Sequence, residues 1–199
     1  MRITAEEKEA TRERIEAAAL ELFRTRGFEA TTTRDIAKAA EIATGTLFNY
    51  FAAKEAIVAA LAQDGLAKAQ TTVAKQPPAE TMVEDLFSLV AAELRQLRPL
   101  RKFITPVLET ALSPLSNATG NGETSLRVQH LESVARIART HGVTDISSVA
   151  LQVYWSLYTG VLAFWAADKS PKQEETLALL DNSLHMFAAW LQDAPAEPR

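Results

Sequence analysis

Apolar residues recur at every third or fourth position along most of this chain, the spacing that gathers side chains on one face of an α-helix. Short segments rich in Gly, Pro, Ser or Asn interrupt the pattern and separate the predicted helices. The pattern predicts an all-α fold of about nine helices, three small ones in front and six longer ones behind. Besides two short helices near residue 40, the predicted helices span 8–26, 54–75, 79–98, 99–112, 124–141, 145–167 and 171–191.

Local signals refine this outline in the back half of the chain. Asp145 is the expected N-cap of the helix that ends at about residue 167, and Pro106 predicts a kink in the helix around it. Residues 113–123 have the composition of a loop. The helix over 145–167 is apolar nearly all round, so we expect other helices to cover both of its sides.

The segment from residue 32 to residue 51 predicts two short helices joined by a tight turn. The first starts at a Thr cap, Thr32 or Thr33, and buries Ile36 on its inner face. The second starts at Thr44 and buries Leu47. Helices this short are unstable alone. We therefore expect them to pack on a longer helix as a helix-turn-helix, with the second helix presented to a DNA major groove.

Composition and charge restrict the possible functions. The chain has 199 residues, of which 47% are apolar, and it contains no Cys, which excludes disulfides, thiol catalysis and zinc–cysteine sites. The net charge is −4, and residues 1–54 are balanced with nine basic and nine acidic side chains. DNA binding would therefore depend on where a few cations lie. The polar N-terminus and the absence of an apolar run of membrane-spanning length predict a cytoplasmic protein with no membrane partner.

A set of spaced residues in the front quarter of the chain forms a signature. It comprises Ile15, Ala18, Ala19, Leu22, Phe23, Gly27, Phe28, Thr32, Thr33, Ile36, Ala37, Ala40, Ile42, Gly45, Thr46, Leu47, Phe48, Tyr50, Phe51, Lys54 and Glu55. With these residues, the segment 12–61 resembles the DNA-binding domain of tetracycline-repressor (TetR) family transcriptional regulators. The resemblance implies a homodimer, a ligand pocket in the back domain and ligand-dependent release of an operator. The rest of the chain agrees with the family only in being helical, apolar and of the right length.

The chain departs from the family pattern at four positions in this segment. Glu41 stands where Gly is usual, at the turn between the two short helices, and a left-handed Glu there should cost about 1 kcal/mol. Ala43 and Ala53 stand where polar caps are common. Phe48 replaces a frequent Tyr and so lacks a hydroxyl that would reach a phosphate.

The chemistry of DNA recognition selects candidate residues around the second short helix. On its exposed side, Asn can bond bidentately to adenine, a Thr methyl can pack on a thymine methyl, and Gly allows close approach. Caps and cations beside this helix are expected to contact phosphates or a guanine edge. The alternative for Tyr50 is core packing, and the alternative for Arg34 is a solvated helix face. The predicted DNA-binding residues are Thr33, Arg34, Thr44, Gly45, Thr46, Asn49, Tyr50 and Lys54.

The back domain offers polar and aromatic residues but no catalytic signature. The three His residues are far apart in sequence and lack carboxylates at ligand spacing, so a hydrogen-bonded His130 is favoured over a metal ligand. No Ser-His-Asp group, carboxylate pair or Gly-rich phosphate loop is evident, and neither an enzymatic activity nor a cofactor is expected. As a group, the aromatics favour a partly aromatic pocket. The predicted ligand-binding residues are Phe103, Val107, His130, Tyr154 and Tyr158.

These observations lead to one preferred hypothesis. Residues 1–53 form a DNA-binding domain, and residues 54–199 form a domain for ligand binding and dimerisation. The chain is predicted to be a homodimeric repressor that leaves a pseudo-palindromic operator when a small, mainly apolar effector binds. The helix that starts at Lys54 is expected to be the only element shared by both domains. The alternative is a ligand-binding or interaction module of the same fold whose DNA binding is weak or lost.

Overall fold

The computed structural model describes residues 4–105 and 126–193, and within these ranges it is all α-helical apart from turns and two short 3-10 segments. The fold class is therefore the predicted one. The eight α-helices of the described ranges are α1 (Ala5–Arg26), α2 (Thr33–Ala39), α3 (Thr44–Phe48), α4 (Lys54–Val73), α5 (Met82–Leu97), α6 (Leu126–Thr140), α7 (Ser148–Ala167) and α8 (Glu174–Asp193). The 3-10 segments are Arg98–Phe103 and Pro171–Gln173.

The three front helices pack around a small core. Thr32 caps α2, and its side chain forms a capping box with Asp35, which fixes where the helix starts. Thr33 is thus the first residue of the helix and not its cap. The turn into α3 places Glu41 at φ 56°, the left-handed conformation expected there. On the inner side Ile36 and Leu47 are fully buried, so α2 and α3 form the predicted helix-turn-helix on α1.

Four local predictions about the back half are wrong or lie outside the described residues. The N-cap of α7 is Ser147, whose side chain accepts the backbone N–H of Ala150, and not Asp145. The residues after α5 form a 3-10 segment up to Phe103 where an α-helix was predicted, because Pro99 lacks the N–H that would continue the α-helical ladder. The kink predicted at Pro106 and the loop predicted over 113–123 fall outside the described residues.

Helix α7 is the apolar centre of the back half. It is long and apolar enough by length and composition to cross a membrane, contrary to the prediction that no segment reaches that length. Such a helix is also typical of a protein core, and Tyr154, Trp155 and Trp165 of α7 are almost completely buried. The described residues do not cover its opposite face, where Val149 and Phe164 are exposed.

Two side chains of the Arg98–Phe103 segment join distant parts of the fold. Phe103 packs against Phe23 of α1 and Phe28 of the following turn, with ring centroids 5.3 and 6.3 Å away. Arg101 donates through Nε to the carbonyl oxygen of Trp165 at 2.8 Å and through Nη2 to that of Asp168. The front domain therefore contacts the back domain through this segment as well as through α4. The prediction that α4 alone belongs to both is wrong.

Candidate nucleic-acid interface and buried polar cluster

The outward face of α3 carries a small group of side chains opposite its buried residue. Successive residues on a helix are about 100° apart. Since Leu47 points inward, Gly45 and Asn49 lie on the opposite side, with Thr46 and Phe48 beside them. Gly45 and Asn49 are exposed, and Thr46 is half-buried. Three of the predicted base-contacting residues thus share one accessible face.

The other predicted DNA-binding residues border this face. Thr44 is the half-buried first residue of α3, which has no side-chain cap at Ala43. Arg34 is exposed on the first turn of α2, and Thr33 beside it is half-buried. Tyr50 is half-buried and packs against the core, so both packing and a hydroxyl contact are open to it.

Lys54 has partners inside the protein that the sequence did not reveal. Its Nζ donates to the carbonyl oxygen of Phe28 at 2.7 Å and to that of Thr31 at 3.3 Å, and it lies 4.2 Å from the Phe28 ring centroid. The ammonium group therefore ties the start of α4 to the turn between α1 and α2. Because an ammonium has three N–H donors, these two bonds leave one for a phosphate, and the phosphate contact stays a prediction.

Helix packing explains the presence of glycine in α4 but not in α3 or α7. A Cβ added at Gly65 in α4 would lie 3.5 Å from Cβ of Gln96, so close packing between α4 and the end of α5 accounts for this glycine. A Cβ at Gly45 in α3 or Gly160 in α7 would meet no atom within 4 Å. A helical Gly costs up to about 1 kcal/mol relative to Ala. Packing among the described residues does not account for these two glycines, and the helix surface above each of them is open.

A fully buried carboxylate organises the interior of the back half. Glu93 of α5 accepts a hydrogen bond from the Tyr158 hydroxyl at 2.9 Å, and its other oxygen lies 2.9 Å from Nδ1 of His130 and 3.3 Å from the amide nitrogen of Gln70. The second ring nitrogen of His130 lies 3.1 Å from the Tyr154 hydroxyl. This buried polar cluster, Gln70, Glu93, His130, Tyr154 and Tyr158, joins α4, α5, α6 and α7.

Burial shapes the chemistry of this cluster. Desolvation, followed by the charge of Glu93, raises the pKa of the Tyr154 and Tyr158 hydroxyls well above their usual value, so both stay protonated donors. The His130 ring stacks on Tyr158 with centroids 3.9 Å apart. The nearby indole of Trp155 is 1% exposed, and its Nε1–H has no acceptor among the described residues. A buried unpaired donor of this kind is unfavourable by about 1–3 kcal/mol.

The cluster brings together three of the five predicted ligand-binding residues. His130, Tyr154 and Tyr158 contact one another there, whereas Phe103 lies in the aromatic contact with the front domain and Val107 is outside the described residues. Glu93 was missed, although it falls between Leu89 and Leu97 at core spacing on α5, which is a detectable signal for a buried acid. Among residues 4–105 and 126–193, no group of three or more His, Asp or Glu side chains is placed to hold a metal ion.

A groove and a small cavity adjoin the buried polar cluster. A groove of about 460 Å³ runs between α4 and α6, and Gln70 lines it while reaching Glu93 behind it. Its other lining residues are Ala67, Thr71, Ala74, Lys75, Gln129, Glu132, Ser133 and Arg136. An apolar cavity of about 10 Å³, room for one water molecule, lies beside Tyr154 and Tyr158 against α8.

Several large apolar side chains are exposed on α7 and α8. They are Val149, Phe164, Leu177, Leu179, Met186 and Trp190. Met186 is 67% exposed, and Gly160 lies among these residues with open space above it. Monomeric proteins seldom expose so many large apolar side chains on two adjacent helices, so this surface has the character of an interface.

Comparison with known proteins connects the front domain to one family. Residues 15–61 match the sequence model described as bacterial regulatory proteins, tetR family. These residues run from the middle of α1 to the first turns of α4 and include the whole helix-turn-helix. A comparison with curated protein sequences finds no significant match.

Solved structures extend the similarity to nearly the whole chain. FadR of Thermus thermophilus, a TetR family transcriptional repressor in complex with lauroyl-CoA, is 27% identical, with a TM-score of 0.62 over 94% of this chain and 100% of that one. Two TetR transcriptional regulators share the fold at lower identity. That of Rhodococcus sp. RHA1 is 18% identical (TM-score 0.63, covering 90% of this chain and 97% of its own), and that of Nitrosomonas europaea is 22% identical (0.60, 89% and 98%). The helix-turn-helix thus matches the model of the tetR family of bacterial regulatory proteins, and the helical fold as a whole is shared with solved TetR family regulators.

Proposed function

We propose that this protein binds a pseudo-palindromic DNA operator as a homodimer and represses transcription until a small-molecule effector releases it. The domain division at residues 53 and 54 belongs to this proposal. The observation that carries it is the outward face of α3, where Gly45 and Asn49 are exposed opposite the buried Leu47. An accessible amide and an uncovered stretch of backbone on a helix-turn-helix suit contact with base edges in a major groove.

Selection of bound sequences from random DNA tests this function directly. The wild-type chain should enrich a pseudo-palindrome whose half-sites lie about 34 Å apart. Asn49→Ala should weaken binding to that operator by about 1–3 kcal/mol and relax the preference at one base position. Arg34→Ala should weaken all sequences alike and reduce the salt dependence, because it removes a phosphate contact. Failure to enrich any sequence would support the alternative of a module that has lost DNA binding.

The buried polar cluster and the groove beside it support the ligand-controlled part of the proposal. An effector in the groove between α4 and α6 would touch α4, the helix that starts at the DNA-binding domain. Gln70 lines the groove and links it to the buried Glu93. Displacement of α4 would move the turn held by Lys54 and with it α2. The effector must bind the DNA-free conformation more tightly, since equal affinity for both conformations shifts nothing.

Acyl thioesters are the first effectors to test, because the Thermus thermophilus relative is described with lauroyl-CoA. Titration of lauroyl-CoA with and without operator should give affinities that differ by the coupling factor, typically about 5–150-fold. Gln70→Ala should reduce that affinity, whereas Thr72→Ala on the exposed side of α4 serves as the matched control. Equal lauroyl-CoA affinity with and without operator would contradict control by this ligand.

The apolar surface of α7 and α8 supports the homodimer. Two helices from each subunit would form a four-helix interface in which Gly160 lets the helix backbones approach. Met186→Asp places a charge on this surface and should yield monomers in analytical ultracentrifugation at micromolar concentration. Met186→Leu keeps the surface apolar and should remain dimeric. A wild-type chain that sediments as a monomer at this concentration would rule out the proposed dimer.

A further inference from the structure

Among the described residues of the front domain, Phe48 is the one large apolar side chain that is exposed. Its ring is 51% exposed, although the neighbouring Leu47 is fully buried. The other large exposed residues considered above lie on α7 and α8, where a second subunit would cover them. Phe48 lies on α3, and the helix-turn-helix leaves it facing solvent.

The position of Phe48 on the helix places it beside the open backbone of Gly45. Side chains on a helix lean toward its N-terminus, onto positions i−3 and i−4, which for Phe48 are Gly45 and Thr44. No other described residue occupies the space above Gly45, since an added Cβ would meet none of their atoms within 4 Å apart from the backbone of α3 itself. The phenyl ring and the glycine backbone therefore border one shallow, accessible space next to Asn49.

The chemistry of a phenyl ring restricts what can fill that space. The ring has no hydrogen-bond donor or acceptor, so it gains nothing from a phosphate. In the major groove, the apolar group that distinguishes one base pair from another is the thymine methyl, and Phe is among the side chains that contact it. We propose that Phe48 contacts a thymine methyl at a fixed operator position and so selects thymine there. This inference rests on the proposed DNA binding and adds a specificity-determining residue to it.

A thymine-to-deoxyuracil scan of the selected operator tests this contact. Each substitution removes one methyl group and changes nothing else. The wild-type protein should lose about fourfold in affinity at the contacted thymine, which corresponds to ~0.8 kcal/mol for one buried carbon. Phe48→Ala should bind the thymine operator more weakly and show no further loss with deoxyuracil at that position. Phe48→Tyr retains the ring and should keep the fourfold sensitivity.

Other results would overturn the inference. If Phe48→Ala loses affinity but keeps the wild-type sensitivity at every thymine, the ring contacts deoxyribose and not the base. If Phe48→Ala binds the operator as tightly as the wild type, the ring contacts neither. Circular dichroism should give both variants the wild-type helix content, because the side chain is largely exposed. A wild-type chain that selects no operator overturns the proposed function itself, a result distinct from these.

Discussion

Gly45→Ala should stabilise the protein and weaken its binding to DNA. The substitution adds one methyl group to the outward face of α3, where no described atom outside the backbone of α3 lies within 4 Å of the new Cβ. Ala is favoured over Gly inside a helix by about 0.5–1 kcal/mol. Because Gly45 is the second residue of a five-residue helix, we expect the lower end of that range, about 0.5 kcal/mol. For a chain of this length that is roughly 1–2 °C in Tm.

The same methyl group should obstruct DNA. If a base edge lies against the backbone of Gly45, the added carbon must displace either the base or the helix. The free energy of binding lost should be comparable with that of one base contact, about 1–3 kcal/mol. Operator affinity should therefore fall about 5- to 150-fold. Urea denaturation at a fixed protein concentration measures the first effect, since dimer stability depends on concentration. Fluorescence anisotropy with labelled operator measures the second.

A glycine in the back half provides the matched control. Gly142, after α6, has φ 85°, so Gly142→Ala should lower the free energy of unfolding by about 1–2 kcal/mol and leave operator affinity unchanged. Unchanged operator affinity of Gly45→Ala would refute the reasoning, because nothing would then lie against this face of α3. A loss of stability in Gly45→Ala would show that the space above it is occupied within the protein.

Other predictions address the back half. His130→Phe keeps an aromatic ring but removes a hydrogen-bond donor to Glu93, so it should lower the free energy of unfolding in urea by about 3 kcal/mol or more. The double variant that also carries Glu93→Leu should recover part of that loss. Trp155→Phe leaves a cavity but also removes a buried N–H that has no acceptor among the described residues, so it should lower the free energy of unfolding in urea by less than the about 3–5 kcal/mol that truncation of a buried aromatic to Ala costs. Hydrogen bonds from the side chain of Thr176 and from Ser170 lower the pKa of the Asp168 carboxyl. The ionised Asp168 therefore stabilises the fold above about pH 4, and this stabilisation is lost as the pH falls further. Thr176→Val should make acid denaturation, followed by circular dichroism, less steep.

The sequence by itself determined the fold class and the helix-turn-helix because the signals for both are local. The apolar residues Ile36 and Leu47 each mark the buried face of one short helix. The Thr32 capping box uses residues three positions apart. The turn at Glu41 requires a left-handed residue whatever surrounds it. Interactions within one or two helical turns can be inferred from residue order alone.

The partners of Glu93, Phe103 and Lys54 were decided only by the tertiary structure. Glu93 meets His130 across 37 positions in the sequence, and Lys54 reaches the Phe28 carbonyl across 26. Phe103 was expected in a ligand pocket but packs on the front domain, because the 3-10 segment turns it toward Phe28. Helical periodicity identifies which side of a helix is buried. It does not identify which helix that side will meet, because that depends on how all the helices pack together.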